Sequence, residues 1–329
     1  MTIDAVSFLS DLLCDESSRD SDVNDEMNIT NYGMSLALKK IKKRNDTLKL
    51  QLLLGSVHSL CIQPPKEKNE LPSGNISSFY KFVHNLHSLE LDSVPLDQCM
   101  PIFGLKGTLN TLIIKNMPIG KIYNVLKDNS EGKDSIWPYL HTVECSHCHL
   151  HAIDKGLQLV PHLRRIVLQD NELIDAKPLS FNKELNYIDL SKNNISFPEF
   201  NVAFTQLTTL LIKENQIRSI TGLKLLTSLK FIDLSNNRLM TWTDLIIFKS
   251  FAYLERINIK GNPLGQIDFN WLFVYLLKNQ ILSSGYIYVD ILTLTQKDVK
   301  LIEGTLKKKA EFKKRIDQII DNPSLSMDS

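Results

Sequence analysis

Between Leu163 and Leu264 the apolar positions recur at a fixed internal spacing, and not with the 3.6-residue period of a long helix. The segments LRRIVLQDNEL from Leu163, LNYIDLSKNNI from Leu185, LTTLLIKENQI from Leu207 and LKFIDLSNNRL from Leu229 start 22 residues apart, and LERINIKGNPL from Leu254 follows after 25. Positions 4 and 6 of each segment are apolar and alternate with their neighbours, which is the period of a strand. Ile188 and Leu190, Leu210 and Ile212, and Ile232 and Leu234 are therefore predicted to face inward, strand upon strand, at the ~4.8 Å spacing of a sheet. Positions 3 and 5 face the other way. Asn171, Asn193, Asn215, Asn237 and Asn262 hold position 9, where the chain turns off the strand. Stacked inside, their amides can bond the backbone of adjacent turns, which would otherwise cost ~1–3 kcal/mol per buried unsatisfied group.

Weaker copies run further back. LHTVECSHCHL from Leu140 has cysteine in place of the asparagine, LNTLIIKNMPI from Leu109 has Met117, LHSLELDSVPL from Leu86 has Val94, and Val57, Leu60 and Ile62 suggest a ninth strand. A second apolar set after each asparagine, as in Ile217, Ile220, Leu223 and Leu226, has the spacing of short 3₁₀ or helical turns. The pattern L-x-x-L-x-L-x-x-N-x-L is the leucine-rich-repeat signature. The expected fold is an α/β leucine-rich-repeat solenoid with one curved parallel sheet on the concave face, short 3₁₀ or helical convex segments, and helical caps. Residues 1–33 are predicted to be largely disordered, 34–54 to form an N-terminal capping helix, 55–264 the repeats, 265–296 a C-terminal cap, and 297–329 a charged helix and tail. Asn129 to Ser135, inside a long interval between repeats, reads as an exposed loop.

Composition narrows the function. Of 329 residues 51 are leucine and only 13 glycine, a bias that the repeat accounts for. The balance of 38 Lys+Arg against 37 Asp+Glu provides no global field for nucleic acid or an anionic membrane. The opening MTIDAVSFLSDLLCDESS lacks the basic start of a secretory signal, no stretch has the ~18 apolar residues of a membrane span, and the five scattered cysteines read as reduced thiols. A cytoplasmic location is expected. Four Asn-x-Ser/Thr sequons, from Asn28, Asn45, Asn75 and Asn194, have no role there.

Candidate chemistry is sparse. Cys145, His147, Cys148, His149 and His151 have the residue types of a zinc cluster. The repeat register instead places Cys145 at an inward position and Cys148 at the asparagine position, with His147 and His149 pointing away. No G-x-S-x-G, phosphate-cradling glycine loop or H-E-x-x-H is present. Asp189 and Asp233 recur at position 5, but on an open face, where catalysis lacks an enclosed pocket. No enzyme activity and no cofactor are expected. Reading positions 3 and 5 gives the candidate partner-binding set Arg165, Val167, Tyr187, Asp189, Leu211, Phe231, Asp233, Arg256 and Asn258. Tyr187, Leu211 and Phe231 make an apolar centre flanked by Arg165 and Arg256, the composition of an interface hot spot. The basic run at Lys307–Lys309 and Lys313–Arg315 is interspersed with Glu303, Glu311 and Asp317, as on a solvated helix face.

The block SLELDSVPLDQCMPIFGLKGTLNTLIIKN, then IWPYLHTVECSHCHLHAIDKGLQLVPHLRRIVLQDNEL, INIKGNPLGQIDFNWLFVYL and YIYVDILTLTQKD resembles the N-terminal repeat region of the serine/threonine kinase 11-interacting protein family, with nischarin a similar alternative. The last segment, a strand followed by L-x-L-T-x-x-D, is not demanded by the repeat. The resemblance implies a cytosolic adaptor that binds a serine/threonine protein kinase. The 22-residue repeat also resembles that of the regulatory subunit of type-one protein phosphatase, so a phosphatase-regulatory subunit stays open, as does a repeat protein of an RNA complex or, last, a metal-dependent enzyme. Protein partners without nucleic acid are the primary expectation, and the oligomeric state is left open.

Overall fold

The computed structural model describes the backbone of residues 26–30 and residues 55, 57–63, 80–81, 83–128, 135–264 and 269–308, with single positions at 314, 317 and 318. Two compact units form, Met1–Glu172 and Leu173–Ser329.

The first unit carries strands β1 (Glu26–Thr30), β2 (Ser59–Gln63), β3 (Ser88–Asp92), β4 (Thr111–Lys115), β5 (Thr142–Ser146) and β6 (Arg165–Val167), paired in chain order and all parallel. The register aligns Leu60, Leu89, Leu112, Val143 and Ile166, so each inward side chain stacks on its equivalent one repeat on. All five are buried, and full burial of each such side chain stabilises the fold by ~1.5–3 kcal/mol. The strand β1 lies within 1–33, the segment expected to be largely disordered, of which only residues 26–30 are described. Its composition is polar, yet Met27 and Ile29 fall in register with the inward positions Leu60 and Ile62. Pairing to an existing sheet edge supplies the backbone bonds that composition did not advertise. The rest of 1–33, the capping helix expected at 34–54, the loop at 129–134 and most of the basic run lie outside the described residues.

The interval between Leu109 and Leu140 holds a short helix, Ile122–Leu126. Asp154, one repeat later, accepts the Ile122 N–H (2.7 Å) and the Tyr123 N–H (3.0 Å), and also its own turn's Gly156 N–H (2.7 Å). One carboxylate thus serves two turns. Gly156 permits their approach, since a Cβ there would stand 2.4 Å from the Tyr123 nitrogen.

The second unit continues the motif with β7 (Tyr187–Asp189), β8 (Thr209–Leu211), β9 (Phe231–Asp233), β10 (Arg256–Asn258) and β11 (Tyr286–Val289), all parallel, followed by β12 (Leu292–Thr295), antiparallel to β11. Convex segments are 3₁₀ turns at Thr221–Leu223 and Trp242–Ser250, as the spacing of three predicts. Helices α1 (Phe269–Leu276) and α2 (Lys278–Ser284) close the core, with the Phe273 ring stacked 6.3 Å from Phe248. Gln280 of α2 is buried, and its amide donates to the Phe248 and Phe251 carbonyls (3.3 and 3.2 Å). At the start of helix α3 (Gln296–Lys308) the Thr295 N–H and hydroxyl both donate to the Asp298 carboxylate (2.8 and 2.7 Å), the carboxylate half of a capping box. Its T-x-x-D is therefore a helix start.

The asparagine ladder forms as the spacing predicts. Asn215 Oδ1 accepts from the Ile195 N–H (3.0 Å), and its Nδ2 donates to the Leu190 carbonyl (2.9 Å) and the Ile212 carbonyl (3.2 Å). Asn171, Asn237 and Asn262 repeat the scheme. The residue before each ladder position, from Ser93 through Asn116, His147, Asp170, Lys192, Glu214 and Asn236 to Gly261, has positive φ. The turn demands a left-handed residue in each repeat, whatever its side chain.

Candidate functional site

Outward positions on the second unit form two rows across the strands. Tyr187, Thr209, Phe231, Arg256 and Tyr288 share one row by register, and Asp189, Leu211, Asp233 and Asn258 share the other. Tyr187, Leu211 and Phe231 are half-buried and Arg256 is exposed. Arg256 lies between two rings, its guanidinium carbon 5.8 Å from the Phe231 centroid and 5.1 Å from that of Tyr288. A cation this close to an aromatic ring gains ~0.5–1 kcal/mol at an exposed site. Tyr288 packs edge-on against Tyr286 at 5.2 Å.

An open groove of about 420 Å³ follows this end of the face, lined by Phe231, Arg256, Asn258, Lys260, Tyr288 and Ile291 among others. Ile291 is 90% exposed at the turn between β11 and β12. Carboxylates near the groove are committed. Asp233 accepts from the Ser235 N–H (2.9 Å), the Ser235 hydroxyl (2.6 Å) and the Asn258 amide (3.2 Å), and Asp290 accepts from the Ile259 and Lys260 N–H groups (2.7 and 3.1 Å).

Two members of the expected set do not offer open surface. Val167 retains 5% exposure and Asp189 7%. Valine is too short to rise above the larger neighbours of a strand face, and Asp189 folds onto its own turn to accept the Ser191 N–H (2.9 Å). Such aspartates at position 5 are turn-formers. Arg165, half-buried, stands with Val167 on the first unit, whereas the other seven candidates belong to the second.

The first unit presents a different face. Glu90, Ile113 and Glu144 are aligned across β3, β4 and β5, and Lys115 pairs with Glu90 at 2.8 Å. The Glu90 hydrogen bond, ahead of the opposing desolvation, holds the Lys115 ammonium above its ordinary range. Sequence reading missed these residues because it tabulated only the five regular repeats; positions 3 and 5 of the weaker copies carried the same information. Tyr288 was missed for another reason. Its strand joins β10 across an interval occupied by two helices, so no repeat spacing announces it.

The Cys/His segment resolves as its register predicts. Cys145 and Cys148 are buried, whereas the His147, His149 and His151 side chains are more than half exposed. Cys148 takes the ladder role, its thiol donating to the Ile114 carbonyl (3.5 Å) and the Ser146 carbonyl (3.3 Å). Burial pushes the Cys148 thiol up to about 11 and the Cys145 thiol well above its ordinary value. His147 pairs with Asp170 (3.3 Å), while His149 and His151 share Glu172 (3.2 and 3.3 Å). Among the described residues no group of three or more His, Cys, Asp or Glu is arranged to hold a metal. Among them, too, no helix is long and apolar enough to cross a membrane.

No protein-family model matches the chain. In fold it resembles an internalin of Listeria monocytogenes, with a TM-score of 0.53 at 17% identity, covering 81% of this chain and 65% of that one. That likeness establishes the leucine-rich-repeat fold alone. The chain spans less than a fifth of the length of the curated relatives it matches. Within that span it is similar to serine/threonine-protein kinase 11-interacting protein, being 29% identical to the human protein over 198 residues (59% of this chain, 18% of the relative) and 30% identical to the chicken protein over 189 residues (55% and 17%).

Proposed function

We propose that this chain is a non-enzymatic leucine-rich-repeat scaffold that binds protein partners across the open strand face of its second unit. The carrying observation is the row of half-buried Tyr187 and Phe231 beside the stacked, exposed Arg256, with Leu211 in the adjoining row. Aromatic residues and arginine are the types that dominate interface energies, and an exposed apolar cluster on a folded surface marks an interaction site. The partner class, a serine/threonine protein kinase, comes from the name of the similar proteins, which are kinase-interacting. The nine outward residues of the sequence set are narrowed to those of the second unit with open surface, leaving out the aspartates whose carboxylates bind their own turns: Tyr187, Leu211, Phe231, Arg256 and Asn258, with Tyr288 added.

The test is capture of purified serine/threonine kinase 11 by the intact chain and by a Tyr187→Ala/Phe231→Ala variant with unchanged circular dichroism. Loss of more than about tenfold in affinity is expected on removing two anchors. Equal capture by both chains would reject the face. Affinity purification from cell extract that recovers a phosphatase catalytic subunit and no kinase would favour the phosphatase-regulatory alternative.

A further inference from the structure

Resting on that reading of the strand face, we infer that the groove around Arg256 takes an acidic side chain of a partner protein together with an adjacent apolar or aromatic one. Two cations line the groove, Arg256 and Lys260, and among the described residues neither has a carboxylate within ion-pair distance. The nearby carboxylates are engaged elsewhere. Asp233 accepts from the Ser235 N–H and hydroxyl and from the Asn258 amide, and Asp290 from the Ile259 and Lys260 N–H groups, so they serve the fold. The positive charge is thus presented outward. Phe231 and Tyr288 flank the guanidinium at 5.8 and 5.1 Å, and a guanidinium's planar fork of N–H donors matches a carboxylate with two parallel hydrogen bonds.

The second half of the site is apolar. Tyr288, Tyr286 and Ile291 are exposed on β11 and the turn that follows it, within reach of a residue next to the bound acid. Neither half alone selects a partner strongly. An exposed ion pair contributes little in water, and an apolar contact tolerates many side chains. Joined, they ask for an acid beside a hydrophobe, which restricts the sequences that dock.

The experiment uses the full chain as bait for a phage-displayed library of random 12-residue peptides, with Arg256→Gln and Tyr187→Ser chains in parallel. Selected peptides are expected to be enriched in Asp or Glu next to Phe, Trp or Leu. Their affinity should fall about tenfold or more on Arg256→Gln, the loss of one interface anchor. It should also fall between about 0.1 M and 1 M salt, where the screening length shrinks from ~10 to ~3 Å. Lys260→Gln, which touches neither ring, should reproduce the salt effect in part. Peptides that bind with no acid preference, or equally to Arg256→Gln, overturn the groove assignment; if they are lost on Tyr187→Ser, the strand-face reading survives without it. Absence of any enrichment from the intact chain rejects both. Dimers in light scattering that vanish on Arg256→Gln would give the groove to a second copy, whose Glu90 and Glu144 face carries the matching charge, and would also overturn the proposal.

Discussion

The asparagine ladder makes a quantitative prediction because its hydrogen bonds are shared. The Leu190 carbonyl accepts from Asn193 Nδ2 (3.0 Å) and from Asn215 Nδ2 (2.9 Å), and all three residues are buried. Asn215→Ala removes one of those donors, but Leu190 keeps the other. The Ile195 N–H loses its Oδ1 partner outright. One orphaned buried donor costs ~1–3 kcal/mol and each lost shared bond a further ~0.5–1.5, so the single change should destabilise by about 2–4 kcal/mol. Asn193→Ala orphans the Leu173 N–H by the same logic. Together the two changes leave the Leu190 carbonyl with neither amide. The double variant should therefore exceed the sum of the singles by about 1–2 kcal/mol, the cost of one more unsatisfied buried group. Asn237 donates to the Ile212, Leu234 and Ser235 carbonyls, whereas Asn193 donates to Leu190 and Ser191, and their double variant should be additive to within ~0.5 kcal/mol. Urea unfolding followed by far-ultraviolet circular dichroism measures each corner of both cycles. Additivity in the neighbouring pair would refute the sharing argument, and so would equal coupling in both pairs.

Other expectations follow from single features. Asn215→Cys should lose less stability in urea than Asn215→Ala, because Cys148 already fills a ladder position by donating its thiol to two carbonyls. At the left-handed position, Gly261 has φ +79° and a Cβ would meet Asn236 Oδ1 at 2.1 Å, so Gly261→Ala should lower the unfolding midpoint by the equivalent of ~1–2 kcal/mol. Glu214→Gly, where φ is +54°, should be neutral or stabilising in the same assay, the reverse of glycine's usual effect. Hydrogen bonds from the Thr295 hydroxyl and N–H hold the Asp298 carboxyl below its ordinary value of 3.8. Its contribution is then present above that value and lost as pH falls through the lower folded one; Asp298→Asn should flatten this part of an acid unfolding curve. Burial pushes the Cys99 thiol up to about 12 and Cys148 to about 11, so in native protein near pH 8 a thiol reagent should modify the half-buried Cys61 well before either. Equal rates would contradict the burial.

The strands from Leu163 onward were legible because each inward residue repeats at an interval that only stacking explains. Even the cysteine at position 148 was readable, since register fixed its role before chemistry was considered. The edges were harder. In β1, two apolar residues among acids and asparagines do not stand out, and only the neighbouring β2 turns them into a strand. The same limit applies to the site. Phe231 and Arg256 are one repeat apart and appear in any tabulation of outward positions, whereas the second ring over Arg256 belongs to Tyr288, brought alongside by helices α1 and α2. A repeat reveals what it repeats, and the end of an array is where it stops repeating. Asp189 shows the converse, for its position predicted an outward carboxylate and its short side chain bent back to the turn.

The reversal at β12 has a consequence for assembly. A parallel array exposes at its last strand a row of N–H and C=O groups that can template another strand of the same direction, including the first strand of a neighbouring molecule. Here the hairpin spends the outer edge of β11 on a strand running the opposite way. An incoming parallel repeat can no longer pair with β11 itself, whose outer backbone groups are already taken. The turn of a few residues around Asp290 and Ile291 therefore closes the outer edge of β11 as well as forming a lip of the groove.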